Sequence, residues 1–217
     1  MPPGKLVLVR HGASIWNLAN IFTGWTDVEL SEQGKQEAHI AGKKLNNFKF
    51  DLAFTSKLKR AIDTLSIILE EIKQTNIPIV EDQALNERHY GNLQGKNKNN
   101  TKKEFGEEQV HLWRRSFDIA PPNGESLRDT FERTVPYLKS KILPEIKRGK
   151  DIIISAHGNS LRSILMELEN ISPKDIPHVN IPTGVPYVFE FDENMKVAKK
   201  TILDGSDEQS DKTRAIQ

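Results

Sequence analysis

An α/β fold, three layers around a mostly parallel sheet, is the class this sequence predicts, and three observations predict it. Short apolar runs rich in leucine, valine and isoleucine (KLVLV, DIIIS) have the composition of strands buried on both faces. Between them lie segments with apolar residues at helical spacing. The two kinds of segment alternate along a chain of 217 residues, 36% hydrophobic and 28% charged, which is long enough to bury a sizeable core. One domain over residues 1–217 is expected, with the polar stretch 205–217 (GSDEQSDKTRAIQ) a mobile tail.

Lys5–Val9 is the first expected strand. A helix is expected from Ser31, a serine cap, with Ala38, Ala41 and Leu45 on one face. DLAFTS then reads as a second strand. In KLKRAIDTLSIILEEI, residues Leu58, Ile62, Leu65, Leu69 and Ile72 recur at helical spacing, and IPIV is a further strand. From Ala84 to Asn100 the chain turns polar and glycine-bearing, and NKNNTKKEF reads as loop or lid. FGEEQVHLWRRSF reads as helix and PPNGES as a break. ESLRDTFERTVPYLKSKILPEI resumes the helical period through Leu127, Phe131 and Val135, with a kink or a split expected at Pro136. DIIIS is a strand, Ser160–Leu168 a helix presenting Leu161, Ile164, Leu165 and Leu168, and YVFEFD and VAKKTIL close the chain as strands.

Composition excludes several function classes. Thirty-one basic residues balance thirty acidic ones for a formal charge of +1, so no bulk field draws nucleic acid or an anionic membrane, and any bound anion needs a local cluster. Zero cysteines exclude disulfides, thiolate zinc sites and a cysteine nucleophile. MPPGKLVLVR lacks the apolar region of a signal peptide, no run reaches membrane-span length, and a cytoplasmic location is expected.

The chemistry concentrates where two strands end alike, in KLVLV-RHG and DIIIS-AHG. Ligands of open α/β sheets bind beyond the carboxyl ends of strands, so parallel strands would bring His11 and His157 to one edge. A lone histidine at such a place reads as a turn residue. Two in matched contexts, with Arg10 beside one, read as a site in which a neutral imidazole is the nucleophile and its neighbour stabilises charge or moves a proton. The six histidines include no HxxxH pair and no short histidine–carboxylate motif, so no catalytic metal is expected. Arg60, at the start of a helix beyond the second strand, and the pair Arg114–Arg115 are candidate phosphate clamps, since a guanidinium binds phosphate bidentately. Against that, adjacent arginines also suit a solvated helix face. Asn159–Ser160 opens a helix whose free amides suit an anion. Glu87, in the polar loop LNERHYG, is a candidate proton donor and acceptor if it reaches the histidines. Residue chemistry alone thus gives a phosphoryl-transfer site without a substrate.

LVRHGASIWNLANIFTGWTDVELSEQG, TSKLKRAIDT, LNERHYGNLQGKNK, WRRSFDIAPP, AHGNSLR and NIPTGVPYVFEFDEN together resemble the cofactor-dependent phosphoglycerate mutases of the histidine phosphatase superfamily, in order and over nearly the whole chain. RHG alone points to the superfamily; ERHYG, WRR and IPTGVP point to the mutase branch. The resemblance implies a phosphoglycerate mutase-like fold in which His11 takes the phosphoryl group, Arg10, Arg60 and His157 surround it, and Glu87 handles the proton of the substrate hydroxyl. It implies that Ser14, Asn17, Thr23, Gly24, Arg88, His89, Tyr90, Lys98, Arg114, Arg115, Gly158 and Asn159 bind substrate. It further implies small-molecule phosphoglycerates as partners, 2,3-bisphosphoglycerate as primer and intermediate, and no metal, nucleic acid or membrane. Two positions depart from the pattern. Ala13 stands where the family usually carries a carboxylate, and PPNGESL is shorter than in many relatives, so no dimer or tetramer is carried over and a homo-oligomer stays open. RHG and AHG fit a phosphatase of the same superfamily equally well, and a catalytically silent binding module is the reading from a different class.

Overall fold

The computed structural model describes residues 1–205; the expected tail, beyond Gly205, lies outside the described residues. Six strands, β1 (Leu6–Arg10), β2 (Leu52–Thr55), β3 (Ile79–Glu81), β4 (Ile152–Ala156), β5 (Pro186–Phe191) and β6 (Val197–Ile202), form one sheet in the order β3-β2-β4-β1-β5-β6. β1, β2, β3 and β4 run parallel, and β5 is antiparallel to both β1 and β6. The sheet is therefore mostly parallel.

Eight α-helical segments flank it: α1 (Ile15–Leu18), α2 (Glu32–Lys44), α3 (Lys59–Glu71), α4 (Lys98–Phe105), α5 (Glu107–Arg115), α6 (Leu127–Tyr137), α7 (Leu143–Lys147) and α8 (Gly158–Glu169). Strand side chains alternate between faces, and the central strands β1 and β4 are buried on both, while the edge strands β3 and β6 are exposed or half-buried. Val7, Val9, Ala53 and Ile153 pack against Ala41 of α2 and Leu65, Ile68 and Leu69 of α3. Leu6, Leu8, Phe54, Ile152 and Ile154 pack on the other side against Leu138, Ile142, Ile146, Leu161, Ile164 and Leu165. Burial of each such side chain contributes roughly 1.5–3 kcal/mol against the entropy of ordering it. The central strands β1 and β4 are thus fixed from both sides, and whatever follows them has a rigid mount.

Several sequence expectations are corrected. NKNNTKKEF is not loop: Lys98–Phe105 is helical, with the Asn97 side chain accepting from the amides of Asn99 and Asn100. Its apolar stripe is nearly absent, since only Thr101 is buried, so periodicity carried no signal; the side-chain cap and packing of Phe105 on Trp113 at 5.2 Å stabilise it instead. FGEEQVHLWRRSF is not one helix, because Gly106, at φ +88°, separates α4 from α5. The split expected at Pro136 falls just after it: Pro136, on the exposed side, is still within α6, which ends at Tyr137, and a π-helical turn at Leu138–Ile142 leads into α7. α8 begins at Gly158 rather than Ser160, and α1 is an unexpected single turn, fixed by a Ser14–Asn17 capping box.

Candidate active site

The register Arg10↔Ala156 aligns the ends of β1 and β4, so the residues after them, His11 and His157, meet with ring centroids 5.0 Å apart. This adjacency is what the paired HG motifs needed and what the sequence by itself left open. The turn after β1 is held hard: the His11 amide donates to the Ala156 carbonyl at 3.0 Å and the Gly12 amide to Thr64 Oγ1 at 3.0 Å. A Cβ on Gly12 would lie 2.1 Å from the Gly34 carbonyl oxygen, so only glycine lets the N-terminus of α2 approach the turn so closely. Ala13, where a carboxylate was expected from resemblance, donates its amide to Glu37 Oε2 at 2.9 Å, so α2 brings a carboxylate to this turn from another part of the chain.

His11 is 2% exposed, and its Nδ1 lies 2.7 Å from the Gly12 carbonyl oxygen. A carbonyl only accepts, so Nδ1 carries the hydrogen and Nε2 keeps the free lone pair. Burial, then Arg60 and Arg10, hold the ring's pKa well below the usual histidine value, which keeps it neutral and nucleophilic. His157 is fully buried, and burial followed by Arg60 and His11 likewise keeps it neutral. Its Nε2 is 2.7 Å from Ser56 Oγ, and Nδ1 has no hydrogen-bond partner.

Around the histidines lies a pocket lined by five arginines and one lysine (Arg10, Arg60, Arg114, Arg115, Arg162, Lys98) and by a single carboxylate, Glu87. Arg60 is preset by its own bonds to the carbonyls of Gly24 (2.7 Å) and Thr26 (3.1 Å), and burial lowers its pKa to about 10, still charged at neutral pH. Arg10 donates to the Ile181 carbonyl at 2.8 Å, while its Nε is buried without a partner. Such a cationic cavity with orphaned donors is costly to assemble and suits a compact polyanion. Glu87 Oε1 accepts the amides of Arg88 (2.8 Å) and Asn159 (3.0 Å), which leaves Oε2 on the Arg10 side; a Cβ on Gly158 would lie 3.5 Å from the Arg10 guanidinium and 3.6 Å from that oxygen. The loop carrying Glu87 is clamped from outside by Arg133, which donates to the carbonyls of Ala84, Asn86 and Glu87 and pairs with Glu125 at 2.8 Å. The short PPNGESL join completes the clamp: Glu125 donates its amide to the His89 carbonyl at 2.7 Å and accepts the His89 amide at 2.9 Å.

Of the other residues singled out from sequence, Asn17, Thr23, Gly24, Tyr90, Gly158 and Asn159 also line this pocket. Four lie elsewhere. His157 sits behind His11, and Ser14 is fully buried with its hydroxyl capping α1 at 3.1 Å. Arg88 is fully buried and donates to the Trp113 carbonyl, and the His89 ring packs on Trp25 at 5.3 Å while accepting the Gly91 amide at 2.9 Å. Sequence reasoning missed Ile21, Phe22, Arg162, Asn180 and Ile181 as lining residues. Arg162 alone carried a signal, since it lies three residues after Asn159 on the same helical face. Among the described residues no group of three or more His, Asp or Glu side chains is placed to hold a metal ion, and no helix is long and apolar enough to cross a membrane.

Lys98 gives the pocket a pH dependence. Burial, then Arg114 and Arg10, lower its pKa to about 8. Below that value it is an ammonium facing the cavity, and above it the charge is lost. The affinity for sulfate, which does not titrate here, is therefore expected to be level below about pH 8 and to fall by up to about tenfold per unit above it, and Lys98→Met to flatten the profile. Calorimetric titration from pH 6.5 to 9.5 measures this; a level wild-type profile would remove Lys98 from the anion site.

The model of the histidine phosphatase superfamily (branch 1) matches residues 6–203. A phosphoglycerate mutase of Schizosaccharomyces pombe is 51% identical over 204 residues, covering 93% of this chain and 97% of the relative. A 2,3-bisphosphoglycerate-dependent phosphoglycerate mutase of Afipia carboxidovorans is 54% identical over 202 residues, covering 92% and 98%. Among solved structures, a phosphoglycerate mutase from Bacillus anthracis superposes with a TM-score of 0.75 at 22% identity, covering 91% of each chain, and an alpha-ribazole phosphatase from Shigella flexneri with 0.80 at 20%, covering 92% and 96%. At these identities the structural likenesses establish the fold alone.

Proposed function

This chain belongs to the histidine phosphatase superfamily, and from that premise we propose that it interconverts 3-phosphoglycerate and 2-phosphoglycerate through a phosphohistidine at His11, in the manner of 2,3-bisphosphoglycerate-dependent phosphoglycerate mutases. The observation that carries this reading is the neutral, Nε2-free His11 on the floor of a cavity with six cations and one carboxylate. Its support from relatives is identity of 50–55% to mutases over most of the chain.

His11 Nε2 attacks phosphorus, and the bond to the departing hydroxyl oxygen breaks as the N–P bond forms. Arg10 and Arg60 neutralise the charge spread over the transferring oxygens, their fixed positions minimise reorganisation, and the neutral His157, 5.0 Å from His11, supports the ring of the nucleophile. Glu87 protonates the departing oxygen and, in reverse, takes the proton of the attacking hydroxyl. Arg114, Arg115 and Lys98 hold the anionic groups that do not react. 2,3-Bisphosphoglycerate supplies, when bound, the phosphoryl group that loads His11. The donor set fits it, because the orphaned Arg10 Nε and the surplus of cations lining the cavity are complementary to two phosphates and a carboxylate. A cytoplasmic setting agrees with this chemistry.

Phosphorus NMR of 3-phosphoglycerate with the purified protein, with and without trace 2,3-bisphosphoglycerate and in the presence of a chelator, tests the reading. The expected result is 2-phosphoglycerate that depends on the primer and ignores the chelator. Inorganic phosphate as the sole product would replace it with a phosphatase, and no reaction would replace it with a binding module.

A further inference from the structure

Resting on the reading that the pocket takes a phosphoglycerate, we infer that Arg162 is a positioning residue that fixes the Asn159 amide, and through it the Tyr90 hydroxyl, as hydrogen-bond donors toward the bound anion. Asn159 and Arg162 are neighbours on the first turns of α8, and Arg162 is only 5% exposed. Its NH1 donates to Asn159 Oδ1 at 3.1 Å and its NH2 to the Ile176 carbonyl at 2.7 Å, so the guanidinium is tethered on one side to backbone and on the other to the amide.

The direction of this network follows from donor counting. Arginine has no acceptor, so the Asn159 atom facing it must be oxygen, and the amide is barred from flipping. Nδ2 is thereby turned the other way, where it lies 3.3 Å from the Tyr90 hydroxyl oxygen. That oxygen takes the Asn159 hydrogen as acceptor, and the phenolic proton is available to the cavity that Tyr90 and Asn159 line. Without Arg162 the amide can turn its oxygen to the pocket, which would present an acceptor to an anion and reverse the Tyr90 hydroxyl.

The chain keeps a charge here under adverse conditions. Both terminal nitrogens of Arg162 bond neutral oxygens, Nε is buried without a partner, and burial together with the nearby Arg115 lowers its pKa to about 10. A buried cation whose hydrogen-bond partners are all neutral is unfavourable as scaffolding, even with the Glu87 carboxylate nearby. A group that must donate in every state, and never accept, has a use for that charge at this place.

The test measures binding in a His11→Ala background, where turnover does not interfere, by calorimetric titration with 3-phosphoglycerate. Arg162→Met and Asn159→Ala are each expected to weaken binding by about tenfold, and the double variant by little more than either one, because the first acts through the second. Arg162→Lys, which keeps a donor-only head, is expected to stay within about threefold, whereas Arg162→Gln, whose amide can present either atom, is expected to lose about tenfold. If Arg162→Met fails to fold, this pair decides the matter when repeated in the Asn159→Ala background, where the difference between Lys and Gln is expected to vanish; a difference that persisted there would come from the charge of Arg162 at the cavity it lines and would overturn the inference. Independent effects, multiplying to about a hundredfold in the double variant, or equal binding by the Lys and Gln variants, would overturn the inference. If the His11→Ala protein with Arg162 intact does not bind 3-phosphoglycerate, the functional reading itself falls and takes the inference with it.

Discussion

His11→Ala is expected to lower phosphoryl transfer by about 10⁴-fold or more, with little change in far-UV circular dichroism. The two nearest alternatives cannot take over its role. The chain has no cysteine, and the second imidazole, His157, has its Nε2 engaged by Ser56 at 2.7 Å. The turn geometry does not depend on the ring, since it is set by the His11 and Gly12 amides bonding Ala156 and Thr64. The check is a quench experiment with labelled 2,3-bisphosphoglycerate. Wild type should retain an acid-labile, base-stable phosphoryl group and the variant should retain none. Undiminished labelling of the variant would move the nucleophile to another residue.

Glu87→Gln is expected to lower kcat by about 10²–10⁴-fold while leaving KM within a few-fold. The side chains have nearly the same shape, and a glutamine oxygen can still accept the Arg88 and Asn159 amides that now bond Oε1. What is lost is the oxygen on the Arg10 side as a proton carrier. The loop should stay in place, because Arg133 and Trp25 hold it through the Glu87 carbonyl rather than the carboxylate. Steady-state kinetics with 3-phosphoglycerate decide it. A loss of less than about tenfold in kcat would mean that the proton travels by another route.

Much of the architecture was legible because it rests on local patterns. LVLV and III are unbroken apolar runs, as suits a strand buried on both faces, and α2, α3 and α8 show their buried stripes. The failures share a cause. α4 buries only Thr101, so its helical state depends on the Asn97 cap and on packing against α5, neither of which has a period. At Pro136 a split was legible, but its form, a π-helical turn at Leu138–Ile142 just beyond it, was not, since no period marks it.

The site divides in the same way. The sequence by itself determined which reactive groups are on offer: two histidines each followed by glycine at strand ends, several arginines, no thiol, and one loop glutamate. Tertiary structure alone decided how these groups meet. It set β1 beside β4 so that the rings lie 5.0 Å apart, turned the Glu87 loop inward through Arg133, and placed Arg162 against Asn159. It also assigned Ser14, Arg88 and His89 to capping and packing outside the pocket lining. Residue type fixes which proton or lone pair a side chain owns. Where that lone pair points, and whether a buried charge leaves it neutral, depends on neighbours tens of residues away in the chain.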